Sequence, residues 1–176
     1  MRRAGTLGVV REPAFSDVLR ARDLLAGRLP PTPMWSYPAL NAVAGATVHV
    51  KHENVQPTGA FKVRGGLSLL AGRPARWRAG GLVTYSTGNH AQSIAYACAA
   101  LDVPCTVVMP AAANTVKVRA VRALGATALL EGAGLADAQV AAERVAGEGG
   151  GELVSPADTA ELIAGVGTVY LEIFEA

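Results

Sequence analysis

The sequence predicts an α/β fold built on a parallel β-sheet. Short apolar segments alternate along the chain with longer segments of helical periodicity. Small aliphatic residues dominate and aromatic residues make up only 5%, which is typical of buried parallel strands and of the helices that cover them. With 51% hydrophobic residues, a chain of 176 residues can bury one substantial core, so disorder is not expected.

The predicted elements follow one another as βαβ units. The expected helices cover residues 15–28, 61–70, 89–101, 114–124 and 135–146. The expected strands cover residues 47–53, 82–85, 105–109 and 126–130. Connections of this length between strands favour right-handed crossovers and therefore parallel pairing. Residues 80–152 are expected to form a small αβα domain.

Glycines from Gly147 to Gly151 resemble a phosphate-binding loop at first sight. They lie at the end of a predicted helix, whereas a phosphate-binding loop needs a strand before the glycines and a helix after them. We therefore interpret them as a helix stop and a linker.

Charge and cysteine content exclude several classes of function. The net charge is +2 and the basic residues are scattered, with the densest cluster (Arg73, Arg76 and Arg78) in a predicted solvated turn, so no nucleic-acid partner is expected. The two cysteines, Cys98 and Cys105, are too few for a secreted disulfide framework. No segment approaches the roughly 20 apolar residues of a membrane span. A cytoplasmic protein is expected, with no membrane partner and no metal site.

Lys62 is the first candidate functional residue. An ordinary lysine is solvated, but Lys62 follows Thr58-Gly59-Ala60-Phe61 at the predicted start of a helix, where its amine can face a cleft. Partial withdrawal from water favours the neutral amine, which is the form that reacts with an aldehyde to give a Schiff base.

The second candidate is the segment 86–92, which reads STGNHAQ and follows the predicted strand 82–85. Backbone N–H groups at a helix N-terminus suit an anion such as a carboxylate, and the Asn89 amide suits a phenolic oxygen. Ser86, Thr87 and Asn89 equally suit simple capping of the helix, and the motif alone leaves both interpretations open. His90 is interpreted as a structural hydrogen-bonding residue rather than a general base.

Two segments carry a resemblance to a known family. Residues 51–66 read KHENVQPTGAFKVRGG and resemble the cofactor-lysine segment of the threonine dehydratase and serine racemase family of fold-type II pyridoxal-phosphate enzymes. Residues 86–92 resemble that family's asparagine loop. The similarity continues in order from about residue 15 to the end of the chain, through segments that include Lys117 and Glu172-Ile173.

The resemblance implies roles for particular residues. Lys62 would form the Schiff base with pyridoxal 5'-phosphate and move the proton at the substrate Cα, with Phe61 beside the cofactor ring and Asn89 bonded to its 3-oxygen. The loop receiving the substrate carboxylate would consist of Ser86, Thr87, Gly88, Asn89 and His90. The implied activity is that of an ammonia-lyase, or dehydratase, converting threonine, serine or a related β-hydroxy amino acid to a keto acid and ammonia.

Two other activities of the same fold stay open. A β-replacing synthase, such as those that make cysteine, shares the lysine and the loop, although the Gln56-Pro57-Thr58-Gly59 turn favours the lyases. Thr87 stands where the family often has serine or alanine, and a serine there can serve as the second base of a racemase. Thr87 keeps the hydroxyl but adds a methyl group, which neither supports nor excludes racemization.

The resemblance also implies a division of the chain, in a tryptophan synthase beta-like arrangement. Residues 1–79 would be the N-terminal part of a larger αβα cofactor domain, and residues 153–176 the truncated start of the return to it. The chain is therefore expected to hold only the N-terminal half of such an enzyme. It would act as a homo-oligomer, or as a half-enzyme or non-catalytic remnant that needs a partner supplying the missing half.

Overall fold

The computed structural model describes residues 11–72, 80–149 and 151–176. The helices are α1 (Phe15–Leu25), α2 (Pro38–Ala44), α3 (Lys62–Gly72), α4 (Asn89–Ala100), α5 (Thr115–Ala123), α6 (Leu135–Gly149) and α7 (Ala160–Phe174), with a short 3-10 helix at Glu53–Val55. The strands are β1 (Met34–Ser36), β2 (His49–Lys51), β3 (Leu82–Tyr85), β4 (Cys105–Met109), β5 (Thr127–Leu130) and β6 (Glu152–Val154). The predicted arginine cluster of Arg73, Arg76 and Arg78 lies outside the described residues.

Strands β3 to β6 form a parallel sheet in the order β5-β4-β3-β6. Side chains along each strand alternate between its two faces. Val107 and Met109 of β4 pack with α4 and α5, whereas Val108 packs with α6. The sheet is thus the middle layer of three, and the predicted α/β fold with a parallel sheet is confirmed.

A second group of elements packs on this αβα unit. Helix α3 lies between α4 and α7, and α1 packs on α3 and α7. Strands β1 and β2 pair antiparallel at the outside. Glycines allow the helices to approach closely: a Cβ on Gly66 would lie 2.5 Å from the Ser93 hydroxyl of α4, and one on Gly165 would lie 2.6 Å from the Arg64 carbonyl of α3.

Strands β3 and β4 have the predicted bounds, and the predicted helices are present with ends that differ by a few residues. Strands β1 and β6 were not predicted, because strands of three residues are too short to show a period of two. Helix α2 was not predicted either, because its seven residues make only two turns and none of them is buried. β6 occupies Glu152–Val154 and pairs with β3, so the predicted boundary at residue 152 falls within a strand. The division into domains stays a prediction.

The interpretation of the glycines after residue 146 as a linker is wrong for Gly147 and Gly149. Helix α6 continues to Gly149, because its buried alanine face packs on the sheet, and this packing outweighs the cost of about 1 kcal/mol for a glycine inside a helix. Gly150 lies outside the described residues. Among the helices that the structure describes, none is long and apolar enough to cross a membrane.

Candidate active site

Lys62 is the first residue of α3 and follows a tight turn. The Gly59 amide donates to the Gln56 carbonyl at 2.7 Å, and Gly59 has a φ of +66°, a conformation that favours glycine. The carbonyl of Lys62 accepts a hydrogen bond from the Ser93 hydroxyl of α4. The start of α3 is therefore attached to α4, and the backbone at Lys62 is held in place.

The Lys62 side chain is half-buried in a cleft between the starts of α3, α4 and α7. The cleft has a volume of about 220 Å³ and is lined by Lys62, Gly65, His90, Pro156, Ala157, Leu162, Ile163 and Val166. The Lys62 ammonium lies 5.6 Å from the centroid of the Phe61 ring, which is 39% exposed. An amine thus lies in a mostly apolar cleft, beside an aromatic ring that remains accessible.

The loop between β3 and α4 forms the second part of the site. Ser86 is buried, and its hydroxyl accepts from the Gly88 amide at 3.1 Å, whereas Thr87 and Asn89 are exposed. Gly88 is the N-cap of α4 and makes no side-chain cap. Within the described residues, no side chain accepts from the first-turn amides of α4. The capping interpretation therefore loses support, and these N–H groups are available to an anion.

His90 is buried behind the loop and is neutral. Its Nε2 lies 2.9 Å from the Thr84 hydroxyl, which donates its only proton to the Val154 carbonyl at 2.7 Å. Nε2 must therefore carry the proton that it donates to Thr84. Burial, together with the nearby charge of Lys62, lowers the pKa of His90 from 6.5 to about 4. This environment agrees with the structural interpretation of His90.

A buried network of charges fixes α3 on the side opposite Lys62. The Arg64 guanidinium is 2% exposed and binds Glu53 at 2.8 and 2.9 Å and Glu172 at 2.6 and 3.0 Å. Lys51 binds the same Glu172 at 2.6 Å. Burial tends to raise the pKa of Glu172, but the hydrogen bonds from Arg64 and Lys51 outweigh it and hold that pKa below its ordinary value. The network joins β2, α3 and α7.

The structure brings some of the predicted site residues together and leaves others on a neighbouring surface. Lys62 and His90 line one cleft, with Phe61 beside the amine. Thr87 and Asn89 are exposed on the loop, and Ser86 and Gly88 lie beneath them. Sequence reasoning missed the hydrogen bond from Ser93 and the charge network, because both depend on helices brought together from distant parts of the chain. The functional roles of all these residues stay predictions.

The groups at this site fit one side of the cofactor that the resemblance implies. A half-buried amine suits an aldehyde, the accessible Phe61 ring suits a flat heterocycle, and the Asn89 amide suits a ring oxygen. The uncapped N-terminus of α4 suits a carboxylate.

The chain is similar to known proteins over most of its length. A family model described as pyridoxal-phosphate dependent enzyme matches residues 26–176. An L-threo-3-hydroxyaspartate ammonia-lyase from Pseudomonas sp is 37% identical over 162 residues, which are 92% of this chain and 51% of that enzyme. The L-threonine ammonia-lyase of Thermotoga maritima is 37% identical over 161 residues, which are 92% of this chain and 40% of that enzyme.

Solved structures show the same similarity. The structure of maize serine racemase aligns with a TM-score of 0.89 and 30% sequence identity, over 94% of this chain and 50% of that chain. The chain spans about half the length of the curated relatives that it matches.

Proposed function

The chain belongs to the family of pyridoxal-phosphate dependent enzymes, and on that premise we propose that it carries the cofactor lysine and the substrate-carboxylate loop of an ammonia-lyase. The proposed substrates are threonine, serine or a related β-hydroxy amino acid. The observation that supports this most directly is the half-buried amine of Lys62 beside the uncapped N-terminus of α4.

In this proposal each residue has a separate task. Lys62 would link covalently to the cofactor aldehyde and move the proton at the substrate Cα. The first-turn amides of α4 would orient the substrate carboxylate, and Asn89 would donate to the ring oxygen. When bound, the cofactor supplies an electron sink for the carbanion at Cα, from which the β-hydroxyl group leaves. Buried and neutral, His90 would hold the loop against β3.

The assignment of Lys62 can be tested exhaustively, because Lys51, Lys62 and Lys117 are the only lysines in the sequence. Borohydride reduction of the cofactor-loaded protein makes the link permanent, and mass spectrometry of its peptides then identifies the modified residue. We expect the cofactor mass on Lys62, and we expect Lys62→Ala to lose the visible absorption band while keeping its far-UV spectrum. Modification of Lys51 or Lys117 instead would refute the assignment.

The substrate class rests on the names of relatives, which include lyases for threonine and for hydroxyaspartate. Both amino acids carry a hydroxyl group at Cβ, so we propose that class for this chain. Keto-acid release from threonine, serine and hydroxyaspartate should be measured beside turnover of acetylserine with sulfide. Turnover of only the last pair would replace the lyase by a β-replacing synthase, and inversion of serine without keto acid would indicate a racemase.

A second proposal concerns the 176-residue chain by itself, because it spans about half the length of its relatives. We propose that groups outside these residues, supplied by a partner or by a second copy, complete the cofactor site. The division at residues 79 and 152, the oligomeric state and the cytoplasmic location remain predictions as well.

A further inference from the structure

Lys117 lies in the first turn of α5 and reaches across to the loop between β3 and α4. A Cβ placed on Gly88 would lie 2.8 Å from the Lys117 Nζ, so the ammonium packs directly on the N-cap residue of α4. The Lys117 side chain is half-buried. The sequence pointed to Lys117 only as part of a βαβ unit, with no role of its own.

Two helix N-termini lie near this ammonium. The N-terminus of a helix carries roughly half a positive charge, and Lys117 lies beside two such ends, that of α5 and that of α4. Among the described residues, no carboxylate or carbonyl forms a hydrogen bond or ion pair with Lys117. Two other buried or half-buried cations, Lys51 and Arg64, bind carboxylates, whereas the half-buried Lys62 lines the neighbouring cleft.

Strand topology explains why these positive groups converge. Strands β3 and β4 are parallel neighbours, so the loops that follow them emerge at the same edge of the sheet. Helices α4 and α5 begin from those two loops. In open α/β sheets the carboxyl edge of the strands is where ligands bind. An anion between the two helix ends and the ammonium would balance all three positive groups.

We propose that Lys117 binds the α-carboxylate of the substrate together with the first-turn amides of α4. The inference rests on the proposed function, because it takes an amino acid as the ligand of the loop. It adds a charged side chain to a carboxylate site that otherwise consists of backbone amides and hydroxyls. A hydrogen bond to a charged group is stronger than one between neutral groups, so Lys117 contributes a large share of the affinity.

The test measures binding to the cofactor-free chain, so that it does not depend on catalysis. The chain is titrated with L-threonine while the backbone amide resonances of Gly88 and Asn89 are followed by NMR. We expect saturable shifts of these amides, and an apparent Kd raised about tenfold or more in Lys117→Gln. Lys117→Arg should stay near the wild type. L-threoninol, which lacks the carboxylate, should leave the two amides unshifted.

Arg119→Gln is the matched control, because it removes one positive charge from the exposed side of the same helix. We expect it to bind threonine as the wild type does. Equal affinity of Lys117→Gln and wild type would overturn the proposal, as would the absence of saturable shifts in the wild type. The remaining amide resonances report whether each variant is folded.

Two further ligands identify the anion. Inorganic phosphate stands for the phosphate of the cofactor, and a Lys117-dependent response to phosphate but not to threonine would overturn the proposal. L-threo-3-hydroxyaspartate carries a second carboxylate on its side chain. If Lys117→Gln weakened the binding of this ligand alone, Lys117 would bind the side-chain carboxylate, and the proposal would be overturned. The peptide that carries the reduced cofactor tests the role of Lys62 in a separate experiment. A wrong proposed function is therefore distinguished from a wrong role for Lys117.

Discussion

At the scale of single residues, the burial of His90 decides its chemistry. The ring donates from Nε2 to Thr84 and is neutral at pH 7, because the charged form would be desolvated and would lie near the Lys62 ammonium. An imidazole with a pKa of about 4 is a weak base at neutral pH. The burial of His90 and its hydrogen bond to Thr84 support a role in holding the loop rather than in proton transfer.

This pKa makes stability depend on pH in a defined window. The folded pKa of His90 lies below the ordinary 6.5, so the unfolded chain takes up the proton first and stability falls as the pH drops from about 6.5 to about 4. Between pH 7 and pH 5 we expect His90 to remove about 2 kcal/mol from the free energy of unfolding. Urea unfolding of wild type and His90→Asn at both pH values measures the difference.

The His90→Asn variant controls for all other groups that titrate between pH 7 and pH 5. Its free energy of unfolding should change less between pH 7 and pH 5 than that of the wild type. Equal changes in the two proteins would mean that His90 is not buried in its neutral form.

At the scale of elements, the position of α3 determines where Lys62 lies. The helix is fixed on one side by Ser93 of α4, which donates to the Lys62 carbonyl, and on another by the Arg64 network that includes Glu172 of α7. Arg64 follows Lys62 by two residues, which places their side chains on roughly opposite faces of the helix. The cleft therefore receives the amine while the buried charges hold the helix.

Glycine at position 66 sets the distance between α3 and α4. A Cβ there would lie 2.5 Å from the Ser93 hydroxyl oxygen and 2.6 Å from the Ser93 carbonyl oxygen, so Gly66→Ala must push the two helices apart. We expect a loss of about 1 to 3 kcal/mol in the free energy of unfolding, and weaker cofactor attachment at Lys62. Denaturant unfolding and the visible absorption band measure the two effects.

Gly147→Ala is the matched control for this substitution. Gly147 lies on the exposed face of α6 with nothing within 4 Å of an added Cβ. Because alanine favours the helix, we expect a gain of about 0.5 to 1 kcal/mol. If Gly66→Ala were as harmless as Gly147→Ala, close packing of α3 on α4 would not be what positions Lys62.

At the scale of the whole molecule, the chain covers about half of the length of its curated relatives. It nevertheless forms a four-stranded parallel sheet with its own buried clusters on both faces. The lysine, the loop and the cleft all lie within the described residues. Completing the cofactor site requires groups that bind the cofactor phosphate, which carries about two negative charges near neutral pH.

We expect the chain to bind pyridoxal 5'-phosphate more tightly after mixing with a separately expressed C-terminal half of a relative, such as the Thermotoga maritima threonine ammonia-lyase. Cofactor affinity is measured from the visible absorption band, and keto-acid release from threonine is followed in parallel. The C-terminal half alone, which lacks a residue equivalent to Lys62, is the control. Tight cofactor binding and ordinary deaminase activity by the chain alone would contradict the proposal that groups outside these residues complete the cofactor site.

The sequence by itself determined the alternation of strands and helices, the family and the candidate residues Lys62 and Asn89. These follow from local patterns: β3 and β4 are runs of apolar residues with turn residues on both sides, and the segments 51–66 and 86–92 are contiguous. A local pattern of this kind can be read from the sequence when consecutive residues belong to the same helix, strand or turn. They also explain the predicted strand-to-helix turns at Lys62 and Asn89, where both helices begin as predicted to within one residue.

Only the tertiary structure decided which distant groups meet. Glu172 reaches Arg64 across 108 residues of sequence, Ser93 reaches Lys62 across 31, and Lys117 reaches Gly88 through the parallel pairing of β3 and β4. Strand β6 and the helical state of Gly147 likewise depend on packing against the sheet rather than on local propensity. The physical reason is that burial, pairing of charges and close helix contacts are properties of surfaces that meet in space, and neighbouring residues in the chain do not encode them.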